Sequence, residues 1–333
     1  MMAMSRKLPY IPALSILIIV LCATFLVSVT FGAADTTLSD VWGALTNTGS
    51  GDKISILQEL RFPREVAAIL VGAALSVSGA IMQGMTRNPL ADPGLLGLTA
   101  GANAALAAAL AFFPSIGPFG IMLACFIGAA VGAGLVFGIG AAKRGGFSPF
   151  RIVLAGAAVS AFLFAVSEGI GLYFKLSKDI SMWTAGGLIG TTWNQIYIIG
   201  PSILLCVIIS MGFSRQLTIL SLNEEVAVGL GQRTVLVKSA LFILTVILAG
   251  SAVALVGNMA FLGLMVPHIA RALTGTDYRT IIPVSVVLGS TFMLLADTIG
   301  RTVNAPYETP VAAIVSMMGL PFFLFIVRKG GKL

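Results

Sequence analysis

The sequence predicts an all-α integral membrane protein with about ten transmembrane helices, and three observations carry that expectation. Of its 333 residues, 57% are hydrophobic and only 10% are charged, with a mean hydropathy of +1.01. A soluble domain carries roughly 25% charged residues, so there is too little polar surface here to face water. The apolar residues fall in long unbroken runs rather than short alternating ones, which favours helices over a β-barrel. The 38 glycines suit helices that must approach closely inside a bilayer.

Taken in order, the apolar runs lie at about 11–33, 65–85, 94–113, 118–142, 151–174, 194–213, 235–256, 258–273, 281–300 and 308–327. The eighth is short. Arg6 and Lys7 precede the first run as in a signal peptide, but that run is about 20 residues long without an A-x-A site, so a retained span is expected. Gly128, Gly132, Gly134 and Gly138 form two overlapping GxxxG-like pairs on the fourth run, a packing device. Cys22, Cys125 and Cys206 sit singly in separate runs, which argues against a disulfide framework or a metal cluster.

An even number of spans puts both termini on one side, and the positive-inside rule selects the cytoplasm. Of the 20 lysines and arginines, only Lys53, Arg61, Arg64, Lys175, Lys178 and Arg301 then fall outside. The net charge of +7 is explained by this asymmetry and implies no nucleic-acid partner. Residues 34–60 become an external loop with a short surface helix at Leu38–Leu45, and residues 174–193 a second external loop. Arg61 and Arg64 flank Pro63, which is expected to start the second span and to present both arginines at a helix N-terminus, against the dipole.

Spacings within "GAALSVSG" and "GSAVALVG" echo each other: Gly72, Gly79 and Pro89 match Gly250, Gly257 and Pro267. Five spans apart, the two stretches would run oppositely, as in inverted-repeat transporters.

No phosphate loop, HExxH or GxSxG occurs, and His268 is the one histidine. ATP binding by a P-loop and hydrolytic chemistry are therefore not expected of this chain. Ionisable groups inside spans mark function by default. Glu168 is read either as a pathway residue or as a buried, hydrogen-bonded acid. Asp297 lies one helical turn before Arg301, close enough for a local ion pair. The cytoplasmic loop 214–238 contains "LNEEVAVGLG", in which Leu222, Val226 and Leu230 recur every four residues behind Asn223, Glu224 and Glu225. Acids at the start and glycine at the end suit short helices on the inner face, either resting on the bilayer or docking a soluble partner.

"RFPREVAAILVGAALSVSGAIMQGMTRNPLADPGLLGLTAGA", "GNMAFLGLMVPHIAR", "ADTIGRTV" and "ETPVAAIVSMMGLPFFLFIVRK" together resemble the permease subunits of ATP-binding-cassette importers for ferric siderophores, haem and cobalamin. The matching positions include Arg61, Pro63, Arg64, Gly72, Gly79, Gln83, Gly84, Asn88, Pro89, Pro267 and His268, and the likeness spans essentially the whole chain. It implies a single permease domain over 1–333 with the type II importer fold, in the bacterial cytoplasmic membrane. It further implies a dimer with an identical or paralogous copy, two cytosolic ATPases that bind ATP and Mg, and an extracytoplasmic substrate-binding (lipo)protein. No cofactor or metal is implied for this chain, and the implied cargo is a ferric siderophore, with haem or cobalamin as alternatives. By the same resemblance Arg61, Arg64 and Arg301 meet acids on the binding protein. Leu217, Leu222, Asn223, Glu224, Glu225, Val226, Gly229 and Gly231 couple to the ATPase. Gln83, Asn88, Pro89, Glu168, Pro267, His268 and Asp297 serve the pathway or the structure. The rival from another class is an ion-coupled secondary transporter.

Overall fold

The computed structural model describes residues 9–31, 36–48, 51–141, 149–305 and 307–328. Lys143 and Arg144, which the topology argument places inside, lie outside the described residues, as do Arg6, Lys7 and the basic residues after 328. The described chain is helical: α1 (Tyr10–Thr30), α2 (Leu38–Thr46), α3 (Asp52–Ile56), α4 (Phe62–Thr86), α5 (Leu98–Phe112), α6 (Pro118–Ala141), α7 (Pro149–Tyr173), α8 (Ser177–Thr184), α9 (Trp193–Gly212), α10 (Ser214–Leu222), α11 (Glu224–Gly229), α12 (Thr234–Val256), α13 (Leu262–Thr274), α14 (Tyr278–Thr302) and α15 (Val311–Arg328). Seven of these helical stretches are long and apolar enough to cross a membrane, while α5 and α15 are apolar but shorter.

Helix α4 is the axis of the bundle. It packs against α9, α12, α13 and α14, and 89% of its most apolar window is buried, against 17% for α1. Helices α5, α6 and α7 form a second group, and α1 rests on α14. Glycine makes the crossings possible. A Cβ on Gly72 would lie 2.3 Å from the Gly289 carbonyl oxygen on α14, and one on Gly101 would lie 2.1 Å from that of Gly128 on α6. Of the four glycines expected to form two packing pairs on α6, Gly128 and Gly132 meet α5 or the turn before it, whereas Gly134 and Gly138 face open space among the described residues.

Two expectations are corrected here. The chain does not enter the second span at Pro63: helix runs without a break from Asp52 to Thr86, so Arg61 and Arg64 lie about three turns inside it. A π-helical turn at Leu57–Arg61 precedes the proline. Proline has no N–H and crowds the preceding turn, and a widened turn relieves the crowding. In that register the carbonyl left without a donor is Gln58's, and the Trp193 indole N–H donates to it at 2.8 Å. The dipole conflict at Arg61 therefore does not arise, and much of the expected external loop 34–60 is helix. Within that loop α2 is present, closed by a capping box in which Thr37 and Asp40 each bond the other's backbone N–H.

The second correction concerns the internal echo. Gly79 sits mid-helix on α4, whereas Gly257 ends α12 with φ +74°. Pro89 lies in a turn, whereas Pro267 lies inside α13. The matched spacings serve different local structures and mark no equivalent pair.

Between α4 and α5, and again between α12 and α13, the chain leaves the helix. The first break is built by Asn88, whose Oδ1 accepts from Leu90 N–H at 3.0 Å, and by Asp92, whose Oδ1 accepts from Gly94 N–H at 2.7 Å. The second runs through Gly257 to Phe261, a non-glycine residue at φ +67°, an uncommon conformation for a bulky side chain. The two breaks meet: a Cβ on Gly263 would lie 2.9 Å from Pro93 Cδ.

Candidate functional site

The three arginines expected to project outward are instead gathered into one ionic network. Arg61 is 6% exposed and Arg301 7%, and the Arg64 side chain is 11% exposed. Arg64 donates from Nε to both Asp297 oxygens at 3.0 Å and from Nη2 to Asp297 Oδ1 at 2.9 Å. Its two terminal nitrogens also clasp Glu308, each at 2.9 Å. Arg301 Nη2 donates to Glu65 Oε1 at 2.6 Å and to Ser28 Oγ at 2.8 Å. Its Nε lies 3.0 Å from Asp297 Oδ2 but finds no aligned hydrogen-bond acceptor, so this one-turn pair is Coulombic. Arg61 Nη1 donates to the Val29 carbonyl and to Thr36 Oγ1, both at 2.6 Å. Arg64 and Arg301 are thus held by three carboxylates, with Arg61 bonded to neutral oxygens beside them.

Glu65 and Glu308 escaped the sequence reading. The signal for Glu65 was available, since it is a carboxylate opening the second apolar run and such groups are functional candidates. Glu308 carried the same signal, since it opens the last apolar run at 308–327. A cavity of about 290 Å³ opens onto Arg61, Arg64, Arg301 and Glu308 together.

Gln83, Pro267 and Arg271 form a second centre at the crossing of α4 and α13. Pro267 cannot donate to the carbonyl four residues back, that of Gly263. Gln83 Nε2 supplies the missing bond at 3.3 Å and reaches Leu264 O at 3.1 Å, while Arg271 donates to Gln83 Oε1. His268 is buried, with both ring nitrogens unpartnered among the described residues and its ring edge-on to Phe322. These residues lock two helices together, and Asn88 and Pro89 shape the turn that follows.

At the end of the bundle where α4 finishes, α10 and α11 form the short helix pair. Leu217 is fully buried and would meet any Cβ added at Gly84. Asn223 caps α11 by accepting from Glu225 N–H at 3.2 Å. Glu224 is tied to Lys238 on α12 at 2.5 Å, and Gly231 turns the chain at φ +77°. Gly229 has open space around it among the described residues. The apolar repeat is not covered: Leu222 is 70% exposed, Val226 46% and Leu230 66%. If this ridge seats a soluble partner, Val226→Asp should abolish co-purification of that partner while leaving the yield of folded chain unchanged. A fully retained complex would show that the ridge is not the contact.

Glu168 points away from the packed core. It is exposed on α7, makes no hydrogen bond or ion pair among the described residues, and lines a cavity of about 590 Å³ with Asn103, Ser167, Ser177, Thr184 and Asn258. A smaller cavity of about 300 Å³, with Asp92 and Thr99 in its wall, shares Phe164 and Asn258 with it.

A family model described as the FecCD transport family matches residues 17–329. The chain belongs to the FecCD transport family. Among curated relatives of this FecCD chain, the iron(3+)-hydroxamate import system permease protein FhuB of Bacillus subtilis (strain 168) is 45% identical over 93% of the chain and 81% of its own length. The ferric enterobactin transport system permease protein FepD of Escherichia coli (strain K12) is 36% identical over 96% and 95%. Among solved structures, a metal-chelate type ABC transporter in an inward-facing conformation superposes with a TM-score of 0.84 at 25% identity, covering 96% of this chain and 99% of that one. The FecCD chain is accordingly a multi-pass membrane protein of the bacterial cell membrane with the fold of an ABC transporter permease.

Proposed function

We propose that this chain is the permease subunit of a binding-protein-dependent importer that moves ferric siderophores into the cytoplasm. The observation that carries the reading is the match, over nearly the whole chain, to an iron(3+)-hydroxamate permease at 45% identity. Ten crossings with both termini inside fit the ten helical runs, the three shortest being α5, α13 and α15. The permease pairs with an identical or paralogous copy. Energy comes from ATP and Mg on two partner ATPases, which seat on the exposed ridge of α10 and α11. The extracytoplasmic binding protein docks over the cavity shared by Arg61, Arg64 and Arg301, where its carboxylates reach Arg64 by displacing Glu308, the most exposed acid of the network. Arginine suits this exchange because its planar fork takes a carboxylate bidentately.

The test is uptake of labelled ferric siderophores, haem and cobalamin by cells with and without this chain. Loss of ferric siderophore uptake alone is expected on deletion. Loss of only haem or cobalamin uptake would reassign the cargo, and uptake that follows the proton gradient at constant ATP would replace the importer by an ion-coupled carrier.

A further inference from the structure

We propose that the cavity walled by Asn103, Glu168 and Asn258 is a cargo-recognition site that favours uncharged and cationic ferric chelates over anionic ones. This rests on the reading of the chain as a ferric-chelate permease and narrows the class of chelate. The first observation is Glu168 itself. A carboxylate on a membrane-spanning helix faces the bundle interior or water rather than lipid. Here it faces a cavity of about 590 Å³ and has no cationic partner among the described residues.

The second observation is independent. Asn103, on α5, is 3% exposed, and its side-chain Oδ1 has no hydrogen-bond partner among the described residues, yet Asn103 lines the same cavity. Buried amide oxygens are normally bonded, and leaving one unpaired costs about 1–3 kcal/mol; Asn103 Oδ1 is such an oxygen, held within the wall of this cavity. The wall is completed by Ser167, Ser177, Ser181 and Thr184. The adjoining cavity, reached past Phe164 and Asn258, contributes a second carboxylate, Asp92. The lining of both spaces contains acids, amides and hydroxyls, and no lysine or arginine among the described residues. Lys175 follows α7 and Lys178 lies on α8, whose Ser177, Ser181 and Thr184 face the cavity, but neither lysine lines either space.

Coordination chemistry turns this lining into a preference. Three hydroxamates, each singly negative, cancel the charge of Fe(III) and give a neutral complex. A pendant ammonium makes the complex cationic and adds a donor for Glu168. Three catecholates leave the complex strongly anionic, and two carboxylates without a cationic partner would repel it. A unit charge roughly 7 Å from Glu168, with water still present, changes occupancy by about three- to tenfold.

The experiment uses the complete importer, with its ATPases and binding protein, in proteoliposomes. The binding protein is supplied saturated with either a neutral ferric tris-hydroxamate or an ammonium-bearing one, and internalised iron is counted. Glu168→Gln is expected to lower the cationic-to-neutral uptake ratio about three- to tenfold, and Glu168→Lys to lower it further. Asp92→Asn, which keeps the oxygen that accepts from Gly94 N–H, should move the ratio in the same direction. A wild-type complex that imports neither chelate would overturn the importer reading itself. A wild-type complex that imports both, with a ratio unmoved by all three substitutions, would overturn the charge preference and leave the importer reading standing.

Discussion

Asp297→Ala should destabilise the protein more than any other removal of a single charge. Asp297 is fully buried and holds Arg64 through three hydrogen bonds while facing Arg301 at 3.0 Å. Removing it leaves three guanidinium groups to two carboxylates in a buried setting. Breaking a buried ion pair from one side is worth about 3–5 kcal/mol, because the abandoned charge keeps its desolvation penalty. Asp297→Asn should cost nearly as much, since shape is kept and charge is lost. Glu308→Gln should cost far less, because Glu308 is the partly exposed member, with a third of its side chain in contact with solvent, and exposed pairs contribute about 0–1 kcal/mol. The midpoint of heat-induced loss of the monodisperse peak in detergent measures all three. Equal midpoints for Asp297→Ala and Glu308→Gln would show that the network contributes no stability of its own.

The network also shows where sequence reasoning stops. The apolar runs were legible because hydropathy over about 20 residues is a local property, and each expected run falls on a helix, the second of which begins well before its run, at Asp52. The short helix pair at 214–229 was legible for the same reason, through Asn223, Glu224, Glu225 and Gly231. The neighbourhood of Arg64 was not. Its partners are 233 and 244 residues away, and no local pattern announces contacts of that range. Only the Asp297–Arg301 spacing hinted at them. The rule that cations avoid the outer face singled out Arg61, Arg64 and Arg301 but says nothing about burial. Inside the protein Arg64 and Arg301 are met by carboxylates, and Arg61 by backbone and hydroxyl oxygens. Asn103 was invisible for a related reason: an amide in an apolar run is unremarkable until the structure shows its oxygen unpartnered beside a cavity.

Gly79→Val should abolish uptake, and Gly79→Ala should reduce it severely. A Cβ at Gly79 would sit 1.9 Å from the Gly263 carbonyl oxygen and 2.5 Å from its Cα. Both atoms are backbone, so no rotamer change relieves the clash, and α4 and α13 must separate by more than an ångström. In a membrane, helices lack a hydrophobic drive toward one another and rely on close packing, so separation forfeits the contact itself. The damage spreads along the crossing. Gln83 would lose its bonds to Gly263 O and Leu264 O, and Pro267 would again leave a carbonyl without a donor. Pro93, which rests on Gly263 from the other break, would shift with it. Overpacking a well-filled core already costs about 1–3 kcal/mol, and a backbone clash falls at the top of that range or beyond. Gly134→Ala and Gly138→Ala are the matched controls, since neither Cβ would meet an atom within 4 Å among the described residues. Uptake of ferric siderophore, normalised to folded chain in the membrane, separates the two classes. Full uptake by Gly79→Ala would mean that the α4–α13 crossing tolerates a gap, and that these two helices are held together by something other than this contact.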